Sequence, residues 1–288
     1  MLEAVPLSDD TRRLLDAAEA LSGLELTRLS RTGPEEALAD TRAAQPLLYL
    51  ADWAWATALE AAGIVPSAVA GHSLGEFAAL AVAGVFSVEA GLELVAERAR
   101  LMSAAAQDTP GGMAAVLGMD SADVVDLVQP IAGVWIANDN APGQVVLTGT
   151  HEGLERATRA LTEAGARRVV PLAVAGPFHS PLMAPAADAF AALLEATEFS
   201  NARIPVVQNA APEPTCDARD IRERLTLQMT SPVRWLETMA AIRRLDIETV
   251  IETGPGAVLA GLARRFEGLD ALSAEAAGIE RVAEVIGV

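Results

Sequence analysis

The chain has 288 residues, 51% of them hydrophobic, and a formal net charge of −18 at pH 7. That is enough apolar material for one large α/β domain or two modest ones, and the acid excess argues against nucleic acid as a partner, because phosphate binding needs basic surface. A single cysteine, Cys216, excludes an internal disulfide and reads as an inert loop thiol, with no histidine near enough in sequence to suggest a metal site.

Residues 1–13 carry Glu3, Asp9 and Asp10 and lack the basic and apolar regions of a secretory signal. The longest apolar run, Phe77 to Phe86, is half the ~20 residues that a membrane-spanning helix needs. A cytoplasmic protein with no membrane partner is expected. All 21 basic residues are arginine, whose planar fork suits carboxylate and phosphate recognition.

Apolar spacing of three and four predicts helices over Thr11 to Leu21 and Gln45 to Ala62. Ser67 to Ala70 reads as a short buried strand, then Gly71-His72-Ser73-Leu74-Gly75, then a small-residue helix reaching Gly84. Strand, sharp turn and helix around G-x-S-x-G form the setting of a nucleophile elbow, in which the glycines let the backbone lift the serine hydroxyl above the sheet. The free N–H groups of the following helix, that of Leu74 first, face a developing oxyanion. A plain strand-to-helix turn is the alternative. On the next helix, Gly91 to Met102, Arg98 falls in the middle of a stripe of Leu94, Val95, Leu101 and Met102, while Arg100 faces the other way. A guanidinium centred on an apolar face needs an anion, either a ligand or a buried Asp or Glu.

From Gly112 the predicted order is strand (Met113 to Gly118), helix (Ser121 to Val128), strand (Val134 to Ala137), strand (Gln144 to Gly149), helix (Glu152 to Ala164) and strand (Arg168 to Val174). This βαββαβ order is the pattern of a ferredoxin-like unit. Residues 107–176 are therefore expected as a ferredoxin-like subdomain inserted into a large parallel-sheet, α/β-hydrolase-like domain made of residues 1–106 and 177–288, with a cleft between them. Further strands are predicted at Ile204 to Val207 and Thr249 to Ile251.

A serine needs a positioned base, and there are three histidines. His72 adjoins the serine and should point away from it; His151 opens a charged helix and reads as solvent-facing. His179 stands in Gly176-Pro177-Phe178-His179-Ser180-Pro181, after a strand and before a helix capped by Ser180, on the side where α/β folds build active sites. The acids between Ser73 and His179, such as Asp120, Asp123 and Asp126, face solvent by pattern, so no carboxylate stands out as a third member.

The string Gly71-His72-Ser73-Leu74-Gly75-Glu76 resembles the nucleophile turn of the malonyl-CoA:acyl carrier protein transacylases and of the related acyltransferase domains of polyketide synthases. Pro177-Phe178-His179 with Leu182-Met183 and Pro185 is similar to the segment carrying their general base. Gln228 before Ser231-Pro232-Val233-Arg234-Trp235 is similar to the segment whose glutamine carbonyl orients that base. Glu97-Arg98 with Leu101-Met102 resembles the helix whose arginine grips the free carboxylate of malonyl-CoA.

Asn138 to Val146 resembles the substrate-cleft hairpin, and Glu252 to Leu259 a late strand-to-helix turn. The resemblance thus implies Ser73, His179 and Gln228 as catalytic residues and Leu74 as oxyanion donor. Arg98, His72, Met102, Phe178 and Asn140 would meet the substrate, and Phe178 would disfavour an α-methyl group. It implies transfer of malonyl from the coenzyme A thioester to an acyl carrier protein through a malonyl-serine, by a monomer without metal or cofactor. Carrier proteins are acidic, and screening within about 8 Å makes local charge decisive, so Arg167-Arg168, Arg243-Arg244 and Arg264-Arg265 are candidate docking patches.

One departure stands out. Met1-Leu2 resemble residues just after a Pro-Gly-Gln-Gly loop that ends the family's first strand and supplies a second oxyanion donor. That strand and loop are expected to be missing, through a start codon placed too late rather than through truncation of the chain, with poor folding or weak activity as the result. A malonate decarboxylase transferase subunit, a stand-alone polyketide acyltransferase, a carboxylesterase and an inactive carrier-docking protein remain as alternatives.

Overall fold

The structure is a computed structural model that describes residues 2, 4–38 and 40–288; Met1, on which the expected missing strand and loop turn, lies outside them. Its first third is helical: α1 (Asp9–Ser22), α2 (Leu26–Thr32), α3 (Glu35–Leu38) and α4 (Thr41–Ala61). Then come β1 (Val69–Ala70), α5 (Gly75–Val82) and α6 (Val88–Asp108). Side-chain oxygens start the long helices: Ser8 caps α1, Asp40 caps α4 and Ser87 caps α6, each accepting a backbone N–H of the first turn. α6 is longer than its apolar stripe predicts, because Ser87 starts it a turn earlier and its small residues carry it to Asp108.

The middle of the chain holds β2 (Gly112–Leu117), α7 (Ser121–Val128), β3 (Val134–Ala141), β4 (Gln144–Gly149), α8 (His151–Glu163) and β5 (Arg168–Pro171). Its strands form one antiparallel sheet in the order β3-β4-β2-β5. α7 and α8 pack on it over a core that includes Val116, Val124, Leu147, Ala157 and Leu161. β5 stops three residues short of the predicted strand. Its partner β2 begins at Gly112, so the register Ala114 to Pro171 leaves little strand to pair beyond it, and residues 171–175 are exposed.

After this sheet come α9 (Ala184–Ala196), β6 (Val206–Val207), α10 (Ala218–Leu227), α11 (Trp235–Arg244), β7 (Thr249–Glu252), α12 (Val258–Ala263), β8 (Asp270–Ser273), α13 (Ala274–Ala277) and α14 (Ile279–Ile286). The fold is mixed α/β with parallel pairing. Among the described residues the parallel strands form two separate pairs, β1 with β6 and β7 with β8. Ala70 and Val207 of the first pair and Val250 and Ala271 of the second share a core with Trp235, Met239 and Ile242 of α11. The largest core joins α1, α4, α5, α6 and α9 through residues such as Leu15, Leu47, Leu50, Phe77, Leu94 and Phe190. No described helix is long and apolar enough to cross a membrane.

Candidate active site

β1 ends at Ala70, and the chain turns through Gly71 to Leu74 into α5. A Cβ on Gly71 would overlap the carbonyl of Gly75, so only glycine allows a turn this tight. Ser73 sits at φ 50 and His179 at φ 57, the left-handed region that costs a non-glycine residue about 1 to 3 kcal/mol. Strain of this kind persists where surrounding bonds over-determine it, and here they do.

The Ser73 hydroxyl lies 2.7 Å from Nε2 of His179. On the far side of the ring, Nδ1 faces two carbonyls, Gln228 O at 3.0 Å and Ser231 O at 3.2 Å. Carbonyls only accept, so Nδ1 carries the ring proton and Nε2 is left as the acceptor for the serine proton. Burial, helped by the nearby Arg98 and His72, pushes the His179 pKa down to about 3, which keeps the imidazole neutral. Among the described residues no carboxylate holds the ring. Asp120, Asp123 and Asp126 are exposed.

Arg98 is 1% exposed. It donates to Gln45 Oε1 at 2.6 Å, to Gln228 Oε1 at 2.9 Å and to Ser73 Oγ at 3.1 Å, and its guanidinium lies over the Phe77 ring. Burial lowers its pKa to about 10, opposed by the field of Glu76, so it stays cationic at neutral pH. Glu76 acts only through that field: among the described residues no carboxylate reaches Arg98 at ion-pair distance, and its hydrogen-bond partners are neutral oxygens. Arg100, by contrast, is exposed and pairs with Glu97.

The Leu74 N–H has no hydrogen bond with the described chain, whereas its neighbours are committed: Ser73 N–H to Asn209 Oδ1 at 2.6 Å, Gly75 N–H to His72 O and Glu76 N–H to Ser73 O. One amide beside Ser73 is therefore left without a partner among the described residues, a donor that an anionic oxygen could use. His72 turns away from Ser73, bonds Asn140 Oδ1 at 2.8 Å and packs against Trp235. Asn140, on β3, is thereby brought beside the turn. Met102 is buried, with its sulfur 3.6 Å from Gln45 Nε2. Phe178 is half-buried against Met113, Ala137 and Val146. His151 and Cys216 are exposed.

Residues 7–283 match the acyl transferase domain. The chain belongs to that family. Among acyl transferase domains similar to this one, the malonyl CoA-acyl carrier protein transacylase of Bacillus subtilis is 38% identical over 269 residues, covering 92% of this chain and 84% of the relative. That of Escherichia coli K12 is 36% identical over 280 residues, covering 96% and 89%. A solved structure of a type II polyketide acyl carrier protein in complex with its malonyl-transacylase aligns with TM-score 0.89 at 36% identity, covering 96% of this chain and 91% of that one.

Three residues in this acyl transferase domain escaped the sequence reading. Gln45 holds Arg98; Asn209 and Glu76 brace the turn. Glu76 had a visible signal, a lone charge opening an otherwise apolar helix. Gln45 was placed only as the start of a helix, and nothing local marks Asn209. The paired arginines are partly spent within the chain: Arg264 donates to Ala271 O, Arg265 to Gln144 and Pro142 O, and Arg244 to Glu213, while Arg167 and Arg168 are exposed.

Proposed function

We propose that this chain moves a malonyl group from malonyl-CoA to the phosphopantetheine thiol of an acyl carrier protein, with Ser73 as the transient acyl carrier. One observation carries the reading: a buried guanidinium stands 3.1 Å from the nucleophile oxygen with no carboxylate at ion-pair distance among the described residues. An esterase of neutral acyl groups has no use for it, whereas an acyl group ending in a carboxylate supplies the missing anion and two planar acceptors. The names of the relatives and one acyl-carrier complex among similar structures point the same way.

In the first stage Nε2 of His179 takes the Ser73 proton as Oγ attacks the thioester carbonyl, and the Leu74 N–H receives the negative oxygen. The carbon–sulfur bond breaks, His179 returns its proton to the leaving thiolate, and a malonyl-serine ester remains with its carboxylate on Arg98. A carrier thiol then gives its proton to His179 and attacks the ester, and the same steps run back to free serine. The backbone carbonyl of Gln228 fixes the ring without a formal charge, so it stabilises imidazolium less than a carboxylate would. His72, Met102, Asn140 and Phe178 would line the acyl and pantetheine path, with Phe178 disfavouring an α-methyl branch by about 1 to 3 kcal/mol.

No metal or redox group enters this scheme. The same reading treats residues 107–176 as a ferredoxin-like subdomain on an α/β-hydrolase-like body of residues 1–106 and 177–288, working as a cytoplasmic monomer. The strand order β3-β4-β2-β5 supports the first part of that division. Intact-mass measurement after exposure to malonyl-CoA tests the assignment. The parent should gain one malonyl adduct and Ser73→Ala none; an adduct persisting in Ser73→Ala removes Ser73 from its role.

A further inference from the structure

The nucleophile turn is held by a side chain that takes the place of a peptide group. β1 and β6 are parallel and in register, Val69 with Val206 and Ala70 with Val207. Past Ala70 the chain bends away into the turn, and a backbone ladder can no longer follow it. The carboxamide of Asn209, two residues beyond β6, continues the pairing: Oδ1 accepts the Ser73 N–H at 2.6 Å, and Nδ2 donates to Gly71 O at 2.6 Å. One planar amide thus spans both flanks of His72.

Asn209 is itself fixed. It is 1% exposed, and its backbone N–H donates to Glu76 Oε2 at 2.9 Å. The other oxygen of Glu76 accepts from Gln208 Nε2 at 3.0 Å. Glu76 is buried in the first turn of α5, the helix that the turn opens, so the two sides of the bend are tied to each other through one carboxylate. Burial pushes its pKa up, opposed by the donors Asn209, Gln208 and Gln228 and by the Arg98 field.

We propose that Asn209, locked by Glu76, is the positioning residue that keeps Ser73 in its left-handed conformation and occupies the serine's own N–H, so that the Leu74 N–H alone remains for the oxyanion. Without the carboxamide, Ser73 relaxes toward ordinary backbone angles. Oγ then leaves the line to His179 Nε2, and the Ser73 and Leu74 amides reorient together. Arg98 is held by Gln45 and Gln228 without direct contact with Asn209, although Arg98 and Gln228 each also reach Ser73. The inference rests on Ser73 being the acylated residue.

Single-turnover malonylation, followed by rapid quench and intact mass, reads it. Asn209→Ala should lower the acylation rate constant about 10- to 100-fold, since misplacement by an ångström costs that much, with half-saturating malonyl-CoA held within about twofold because Arg98 keeps its bonds to Gln45 and Gln228. Asn209→Asp keeps the shape and guards against an alanine variant that fails to fold. Protonated, it offers O–H to Gly71 O and a carbonyl to Ser73 N–H; ionised, it loses the donor and sits beside Glu76. Its rate should therefore fall as pH rises through its titration, with no such limb in the parent. Unchanged rate constants in Asn209→Ala, or an Asn209→Asp rate that does not depend on pH, overturn the proposal. A fluorophosphonate probe, which attaches to serine Oγ with loss of fluoride, is run beside it. Labelling that slows in the Asn209 variants, in a parent that takes no malonyl, leaves this inference standing and removes the malonyl reading.

Discussion

Below Ser73, the side chains of His179, Arg98 and Gln228 are each no more than 4% exposed and bonded into one net. Beside Ser73, the β3–β4 hairpin meets the turn through one side-chain contact, Asn140 to His72, and is gripped from outside by Arg265 on its Pro142 and Gln144. β3 also carries two irregularities, between Ile136 and Asn138 and between Asp139 and Ala141, where its register against β4 shifts. The buried net fixes charge and proton direction before any substrate arrives, which is where electrostatic preorganisation is worth most. The hairpin lies outside this net, bonded by its backbone to the Val233 segment, and its changes should be felt in binding more than in chemistry.

The largest effect that would break this contrast is at Arg98. Arg98→Ala should lower kcat/KM for malonyl-CoA about 100- to 1000-fold, the scale of losing a charge-assisted pair in a buried site, while transfer from an uncharged acyl-CoA of similar size holds or rises. Equal losses for both donors would mean that the cation serves the fold and not the acyl group.

Next comes pH. Burial holds the His179 pKa near 3, so the free enzyme already has its base in the neutral form across the usual range. The pH profile of kcat/KM, which reports free-enzyme ionisations, should show no acid limb at the ordinary histidine value near 6.5. An inflection there would show that the ring is wetter than the net implies. The smallest effect is expected at the hairpin: Asn140→Ala should raise KM for malonyl-CoA about threefold and leave kcat within about twofold, the pattern of lost uniform binding. A large drop in kcat with KM unchanged would place the hairpin within the chemistry.

The same contrast governs what could be read in the sequence. Ser73, His179 and Arg98, which the structure brings together, each stand in a local pattern that singles them out: glycines around a serine between strand and helix, a histidine after a strand, a cation in an apolar stripe; a plain turn or a buried ion pair fits the same patterns, and the family resemblance is what joined them. The antiparallel sheet was legible from its alternation of elements, to within a few residues at most ends. Asn209 was not, since its meaning depends on β6 lying beside β1, a pairing of residues far apart in the chain. Nor was the early end of β5, which is set by where its partner begins. The parallel pairing was legible from the alternation of elements, whereas its division into the pairs β1 with β6 and β7 with β8, which share a core with α11, was not, because strands of two to four residues carry too little pattern to show their neighbours.

Gln228 divides its labour in a way that matters for variation. Its main-chain oxygen anchors the imidazole, and that service survives any replacement that leaves the backbone in place. Its carboxamide grips the guanidinium and the Ser73 carbonyl, and those services are lost with almost any replacement. Drift at this position would thus erode acyl selection and nucleophile alignment while sparing the proton path, leaving a hydroxyl that is still activated but no longer discriminating.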